Sequence, residues 1–99
     1  MFEWRVVMRY MHIELTTAEE RVPQIIYSEI DDVEYEVRKV EIYFDGSVGY
    51  ASSENEVGKT LLADQVIPTL EEIDNDNEII ATQLSREDFE IIWASYTKQ

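Results

Sequence analysis

The run from Val33 to Phe44 constrains the fold more than any other stretch of the chain. Its apolar residues occupy odd positions first, Val33, Tyr35 and Val37, and then even ones, Val40, Ile42 and Phe44. Side chains on a β-strand alternate between faces, so a strand with one buried face cannot change parity without turning its residues over. Either the strand carries a β-bulge near Arg38 and Lys39 or its two halves pack on different sides, and the bulge is the favoured solution. Asp45-Gly46 follows as a hairpin signal, ahead of a further strand from Ser47 to Ala51. A two-residue loop would set Ile42 against Gly49. A three-residue loop of Phe44, Asp45 and a left-handed Gly46 sets Ile42 against Val48 and Val40 against Tyr50, and this pairing of apolar with apolar is the expected register.

The rest of the chain supplies partners for this hairpin. Residues 2–13 alternate as a first strand, with Trp4, Val6, Met8 and Tyr10 on one face and Glu3, Arg5 and Arg9 on the other. Glu14 to Arg21 lacks periodicity and reads as a loop, Pro23 marks the edge of a second strand from Gln24 to Ile30, and Asp31-Asp32 supply turn chemistry. Ser52 to Lys59 is polar and reads as an open loop, after which Leu61, Leu62, Val66 and Ile67 return to the core around Asp64. Pro68 suits the first turn of a short helix from Thr69 to Asp74, with Glu71 and Glu72 at its positive end. Asp74 to Asn77 breaks that helix, and Glu78 to Leu84 reads as a last strand with Ile80, Thr82 and Leu84 on one side. Ser85 then caps a final helix, with Asp88 at the capping-box position and Phe89, Ile92, Trp93 and Tyr96 in one apolar stripe. The expectation is a single α+β domain over residues 1–99: an antiparallel sheet of four or five strands with the C-terminal helix on one face.

Charge narrows the function. Among 99 residues, 22 Asp and Glu oppose 8 Lys and Arg, for a formal net charge of −14. Phosphate recognition needs a basic footprint, so no nucleic acid and no anionic membrane is expected as a partner. With no cysteine and one histidine, His12, the chain supplies neither a thiolate metal site nor a two-histidine one, and any Ser-His-Asp triad would run through that single imidazole. Glu3, Arg5 and Arg9 interrupt the apolar stretch of about 7–15 residues that a signal peptide needs, which points to a cytoplasmic protein. Gly58-Lys59-Thr60 imitates a phosphate loop, but Ser53 stands where its first glycine belongs. Asp74, Asp76 and Glu78 imitate the start of a calcium loop, yet Ile79 and Ser85 occupy its glycine and bidentate-glutamate positions. With so many acids, close carboxylate pairs arise by chance and single out no catalytic residue. No metal, cofactor or catalytic group is expected, and the chain reads as a non-enzyme.

Three segments carry a resemblance: IYSEIDD from Ile26, YEVRKVEIYFDGSVGYA from Tyr35, and LSREDFEIIW from Leu84. Together they resemble a family of small acidic bacterial proteins encoded near polymorphic toxins, over residues 25–93. The resemblance implies an immunity protein of a contact-dependent growth inhibition type system. Such a protein would bind a cognate basic toxin, a tRNA-cleaving RNase for instance, and occlude its active site stoichiometrically. Its motifs are structural, and they transfer no catalytic residue. The acidic surface fits the same role, because opposite fields steer association, although high net charge also serves plain solubility. Candidate partner-binding residues are Asp31, Asp32, Glu34, Glu36, Glu54, Glu56, Glu71, Glu72, Asp74 and Asp76. Two other functions compete. One is a ligand-binding or enzymatic domain with Tyr35, Tyr43 or Tyr50 on a concave sheet face; the other is a structural adaptor pairing through the edge of the second strand.

Overall fold

A computed structural model of the chain describes residues 7–17, 19 and 21–97. Six strands and two helices follow in the order β1 (Arg9–Leu15), β2 (Pro23–Ile30), β3 (Glu36–Tyr43), β4 (Val48–Ser52), β5 (Glu56–Val57), α1 (Leu70–Asp74), β6 (Ile79–Gln83) and α2 (Arg86–Thr97). The strands form one antiparallel sheet in the order β5-β4-β3-β2-β1-β6. The fold is therefore the α+β arrangement expected, with one more strand than foreseen. That strand is β5, in the polar stretch taken as an open loop. Ser52 N–H takes Asn55 O at 2.8 Å, and the chain turns back so that Glu56 and Val57 pair with Ala51 and Tyr50. Among the described residues no helix is long and apolar enough to cross a membrane.

The parity change in the sequence is a bulge. Glu29 pairs with Arg38 and Ile30 with Glu36, so Val37 is an extra residue on β3, just before the position expected for it. Register fixes the consequence. Arg38, Val40 and Ile42 share a face with Tyr10, Tyr27 and Tyr50, while Lys39, Glu41 and, because of the bulge, Glu36 share the other with Met11, Ser28 and Ile30. The hairpin after β3 has the three-residue loop. Ile42 faces Val48, Val40 faces Tyr50, and Gly46 sits at φ +88°.

Each face of the sheet has its own cover. On the first lies α2, whose Ser85 cap accepts the Asp88 N–H at 3.0 Å. Phe89 is fully buried against Tyr10 with ring centroids 5.2 Å apart, and Trp93 meets Tyr50 edge-on at 5.6 Å. Ile92 and Trp93 are half-buried and Tyr96 is exposed, so the stripe fades toward the helix end. The other face is crossed by residues 58–69, an irregular strap, followed by α1, which Thr69 caps. The strap lies close. A Cβ on Gly49 would collide with Thr60 Oγ1 and stand 2.9 Å from Val57 O. Gly49→Ala is therefore expected to destabilise the fold by about 1–3 kcal/mol, read as a lowered urea midpoint. An unchanged midpoint would mean that the strap moves away at no cost.

Several expectations give way. β1 starts at Arg9, with Tyr10 buried, and the rest of the strand expected over residues 2–13, including Glu3, Trp4, Arg5 and Val6, lies outside the described residues. Glu14 and Leu15 extend β1 rather than open a loop, because Glu14 pairs with Ile25 on one side and Ile80 on the other. Val33 and Tyr35 stand outside β3, and Leu61 and Val66 face outward while Leu62 and Ile67 are half-buried. On β6, Ala81 is the buried residue and Ile80 and Thr82 are exposed, because α2 lies over Tyr10 and Tyr50 whereas α1 packs against β6.

Candidate functional site

Which charges are left for a partner depends on which the fold uses. Arg38, under α2, donates from Nε to Glu29 Oε1 at 2.5 Å and from Nη2 to Glu29 Oε2 at 2.8 Å. A further bond runs from its Nη1 to Glu90 Oε1 at 2.9 Å, and its guanidinium lies 4.9 Å from the Phe89 ring centroid and 5.2 Å from that of Trp93. Tyr10 Oη donates to Glu29 Oε2 at 2.9 Å. The bond to Glu29 holds the guanidinium firmly protonated, the bond from Arg38 draws the Glu90 carboxyl below the usual range, and burial pushes the Tyr10 phenol up, assisted by Glu29.

A second network lies under the strap. Lys39 Nζ reaches Glu36 Oε1 at 3.1 Å, Glu41 Oε2 at 3.9 Å and the carbonyl of Leu61 at 2.7 Å. Glu36 also accepts from Ser28 Oγ at 2.7 Å and from the Ala63 N–H at 2.8 Å. Glu41 accepts from Thr60 Oγ1 at 2.8 Å and Tyr43 Oη at 3.2 Å. Burial raises the Tyr43 phenol, with Glu41 adding to the effect. These bonds, more than apolar packing, hold the strap to the sheet.

The ten candidate acids separate accordingly. Glu36 is 6% exposed and wholly engaged in that network, so the bulge removes it from the surface. Asp31 organises the β2–β3 turn, its Oδ1 accepting the N–H groups of Val33 at 3.0 Å and Tyr35 at 2.9 Å. Glu34 takes Arg9 through Nε at 3.1 Å and Nη2 at 2.6 Å, and Arg9 Nη2 also donates to the carbonyls of Ile67 and Pro68. Asp74 accepts the Ala81 N–H at 3.0 Å and Asp76 the Glu78 N–H at 2.8 Å, so the imitation calcium loop is spent on backbone. Glu72 accepts from Thr69 Oγ1 in the cap of α1. Asp32, Glu54, Glu56 and Glu71 are exposed and make no side-chain bond among the described residues. No three potential metal ligands come together among those residues.

Topology gathers six of the ten candidate acids. The β2–β3 turn, the β4–β5 turn and the start of β1 all lie at one end of the sheet, because Ile30 pairs with Arg9 and Glu36, and Arg38 with Ser52. Arg9 brings Pro68 and the start of α1 to the same end, beside a cavity of about 510 Å³ lined by Arg9, Met11, Glu34, Thr69, Leu70 and Gln83. Asp31, Asp32, Glu34, Glu54, Glu71 and Glu72 thus come from three separate segments to one end. At the other end Arg21, Lys59 and Asp45 line a groove of about 450 Å³ around Tyr43. Asp45 there is drawn down by its bonds to Ser47.

The competing sites are dispersed or closed. Tyr50 lies under Trp93, Tyr43 lies on the strap face, and Tyr35 is outside the sheet, so the three tyrosines share no concave face. Strand β2 lies between β1 and β3 and offers no edge, contrary to the adaptor expectation. The edges are β5 and β6, and β6 is blocked where Asp74 occupies the Ala81 N–H. Asp74→Ala should release that donor and produce self-association that grows with concentration in sedimentation velocity; a monomer at all concentrations would show that α1 alone shields the edge. Gly58-Lys59-Thr60 opens the strap, with Gly58 at φ +75° and Thr60 bonded to Glu41, and no helix follows to receive a phosphate. His12 packs tilted on Tyr27 with ring centroids 4.9 Å apart, and its buried Nε2 has no partner among the described residues.

The sequence placed Val33 and Tyr35 inside a strand, whereas both lie in the β2–β3 turn. Their signal was present in the parity break: residues before the bulge and directly after Asp31-Asp32 belong to the turn.

These features define a small α+β protein built on an open antiparallel sheet, with one buried ion-pair network under each cover. The chain belongs to the DUF6881 family, a domain of unknown function, which matches residues 9–98. Neither a curated protein nor a solved structure matches it.

Proposed function

We propose that the chain is an immunity protein that binds a basic toxin nuclease one to one and occludes its active site. One observation carries this reading. The fold engages Arg9, Arg38 and Lys39 in ion pairs, while the carboxylates of Asp32, Glu54, Glu56 and Glu71 stay exposed and make no bond among the described residues. Of these, Asp32, Glu54 and Glu71 come to one end of the sheet. A catalytic cleft that binds RNA phosphates presents Lys and Arg, and carboxylates can stand in for those phosphates. The resemblance to proteins encoded beside toxins points the same way.

The test is co-purification of the tagged protein with the product of the gene immediately upstream, followed by growth with and without this protein. A tight equimolar complex that restores growth is expected, with an association rate that falls steeply as salt rises. Absence of both complex and rescue would overturn the proposal.

A further inference from the structure

Four exposed apolar side chains come from two segments that the fold ties together. Val33 is 61% exposed and Tyr35 45%, both in the β2–β3 turn; Leu61 is 61% and Val66 56%, both in the strap. The Ile67 N–H donates to Glu34 O at 2.8 Å, the Ala63 N–H to Glu36 at 2.8 Å, and Lys39 to Leu61 O at 2.7 Å. The strap therefore runs alongside the turn, and the Ile67–Glu34 bond brings Val66 beside Val33 and Tyr35 in one strip at the sheet's acidic end. A contiguous apolar strip rimmed by polar groups marks an interaction surface more often than scattered leucines do.

The turn is also held in advance. Asp31 N–H donates to Tyr35 O at 2.9 Å and Glu34 N–H to Asp31 O at 3.1 Å, in addition to the two bonds accepted by the Asp31 carboxylate. Glu34 adopts φ +71°, a conformation unfavourable for a side chain with a Cβ, and the Arg9 pair and the Ile67 bond secure it there. A loop fixed before binding loses little conformational freedom on binding.

We infer that the turn 31–35, flanked by Val66, is a preformed recognition loop that seats Val33 and Tyr35 in an apolar pocket within the basic cleft of a protein partner. The inference rests on the reading above that the partner is basic, and it names the face used. Charge selects the occupant. A second copy of this chain would bring another −14, and Asp32, Glu34 and Asp64 around the strip would oppose their own kind. A partner with Lys and Arg around a pocket meets both the centre and the rim. Aromatic anchors in such centres set dissociation, while rim charges set association.

The experiment places a photo-crosslinking phenylalanine analogue at Tyr35 in the full chain, expressed in its own cell, with the same analogue at Phe44 and Ile91 as controls. Phe44 lies at the opposite end of the sheet, and Ile91 is exposed on α2. The adduct partner is then purified and its binding kinetics are measured with wild type, Tyr35→Ala, Val33→Ser and Asp32→Asn. Expected is a discrete adduct at Tyr35 alone, to a protein of basic isoelectric point. Tyr35→Ala should then raise Kd roughly 30-fold or more through dissociation. Asp32→Asn should slow association at low salt and leave dissociation unchanged. Circular dichroism and urea midpoints confirm that the variants fold. Adducts only at Phe44 or Ile91 to a basic protein would overturn the loop and leave the basic-partner reading standing. An adduct at Tyr35 to an acidic or neutral protein would overturn both. No adduct at Tyr35, or a partner that binds Tyr35→Ala and Val33→Ser as tightly as wild type, would overturn the inference.

Discussion

Arg38→Ala should cost about 3–5 kcal/mol of stability, because it leaves the buried Glu29 carboxylate without its counter-ion. With a urea slope of roughly 1–3 kcal/mol/M, the urea midpoint should fall by about 1 M or more. Two effects add to it: the Phe89 and Trp93 rings lose the cation between them, and Tyr10 is left as the remaining partner of Glu29 among the described residues. Pairing Arg38→Met with Glu29→Gln should recover much of the loss, since the buried charge is then gone while Tyr10 keeps an acceptor. A single Arg38→Ala protein as stable as wild type would show that water reaches Glu29. Glu90, on the exposed side, has a different signature. Arg38 draws its folded pKa down, so its contribution is present above the ordinary carboxylate range and is lost as pH falls through the lower folded value. Glu90→Gln should therefore flatten the acid limb of the stability curve and lower stability only slightly at neutral pH.

Lys39→Ala is the second large effect and differs in kind. It removes the cation shared by Glu36 and Glu41 and the donor to Leu61 O, so two buried carboxylates are left without a cation, Glu36 keeping Ser28 as donor and Glu41 keeping Thr60 and Tyr43. A loss of about 3 kcal/mol is expected, concentrated in the strap. Leu61 and Val66 face outward and Leu62 and Ile67 are half-buried, so only partial apolar burial holds this segment once the ionic contacts are gone. Hydrogen exchange should quicken at Ala63 and Ile67, whose N–H groups bond to Glu36 and Glu34, while amides of β2 and α2 stay protected. A loss spread evenly over the molecule would show that the strap and sheet unfold as one unit.

Local rules made much of the fold legible. The hairpin register followed from loop length and cross-strand matching, Pro23 marked the start of β2, and Ser85 with the Phe89 stripe placed α2. The bulge was legible as a fact, but its outcome was not. Parity says that a strand slips; it does not say which residues the slip turns over, and here it turns Glu36 inward to Lys39. That one step makes a candidate surface acid internal. Charged residues inside a domain are improbable until their partners are known, and Ser28, Ala63 and Lys39 come from three separate segments. For the same reason Asp74 and Asp76 read as free acids when they cap backbone N–H groups of the following turn and strand. Val57 and Glu56 escaped notice because a two-residue strand carries no periodicity.

The strand order also dictates a timetable for the nascent chain. Strands β1 to β5 each pair with the next strand along, so every contact of that meander is available as soon as a few more residues are made. β6 returns to β1 across more than half the chain, with Leu15 meeting Ile79 and Met11 meeting Gln83, and α2 follows it. Closing so long a loop is slow relative to forming local hairpins. During synthesis the meander is therefore complete while the outer edge of β1 and the ring of Tyr10 are still bare, awaiting β6 and α2. How long that edge of β1 stays open in a newly made chain is therefore set by how soon β6 and α2 dock on the meander.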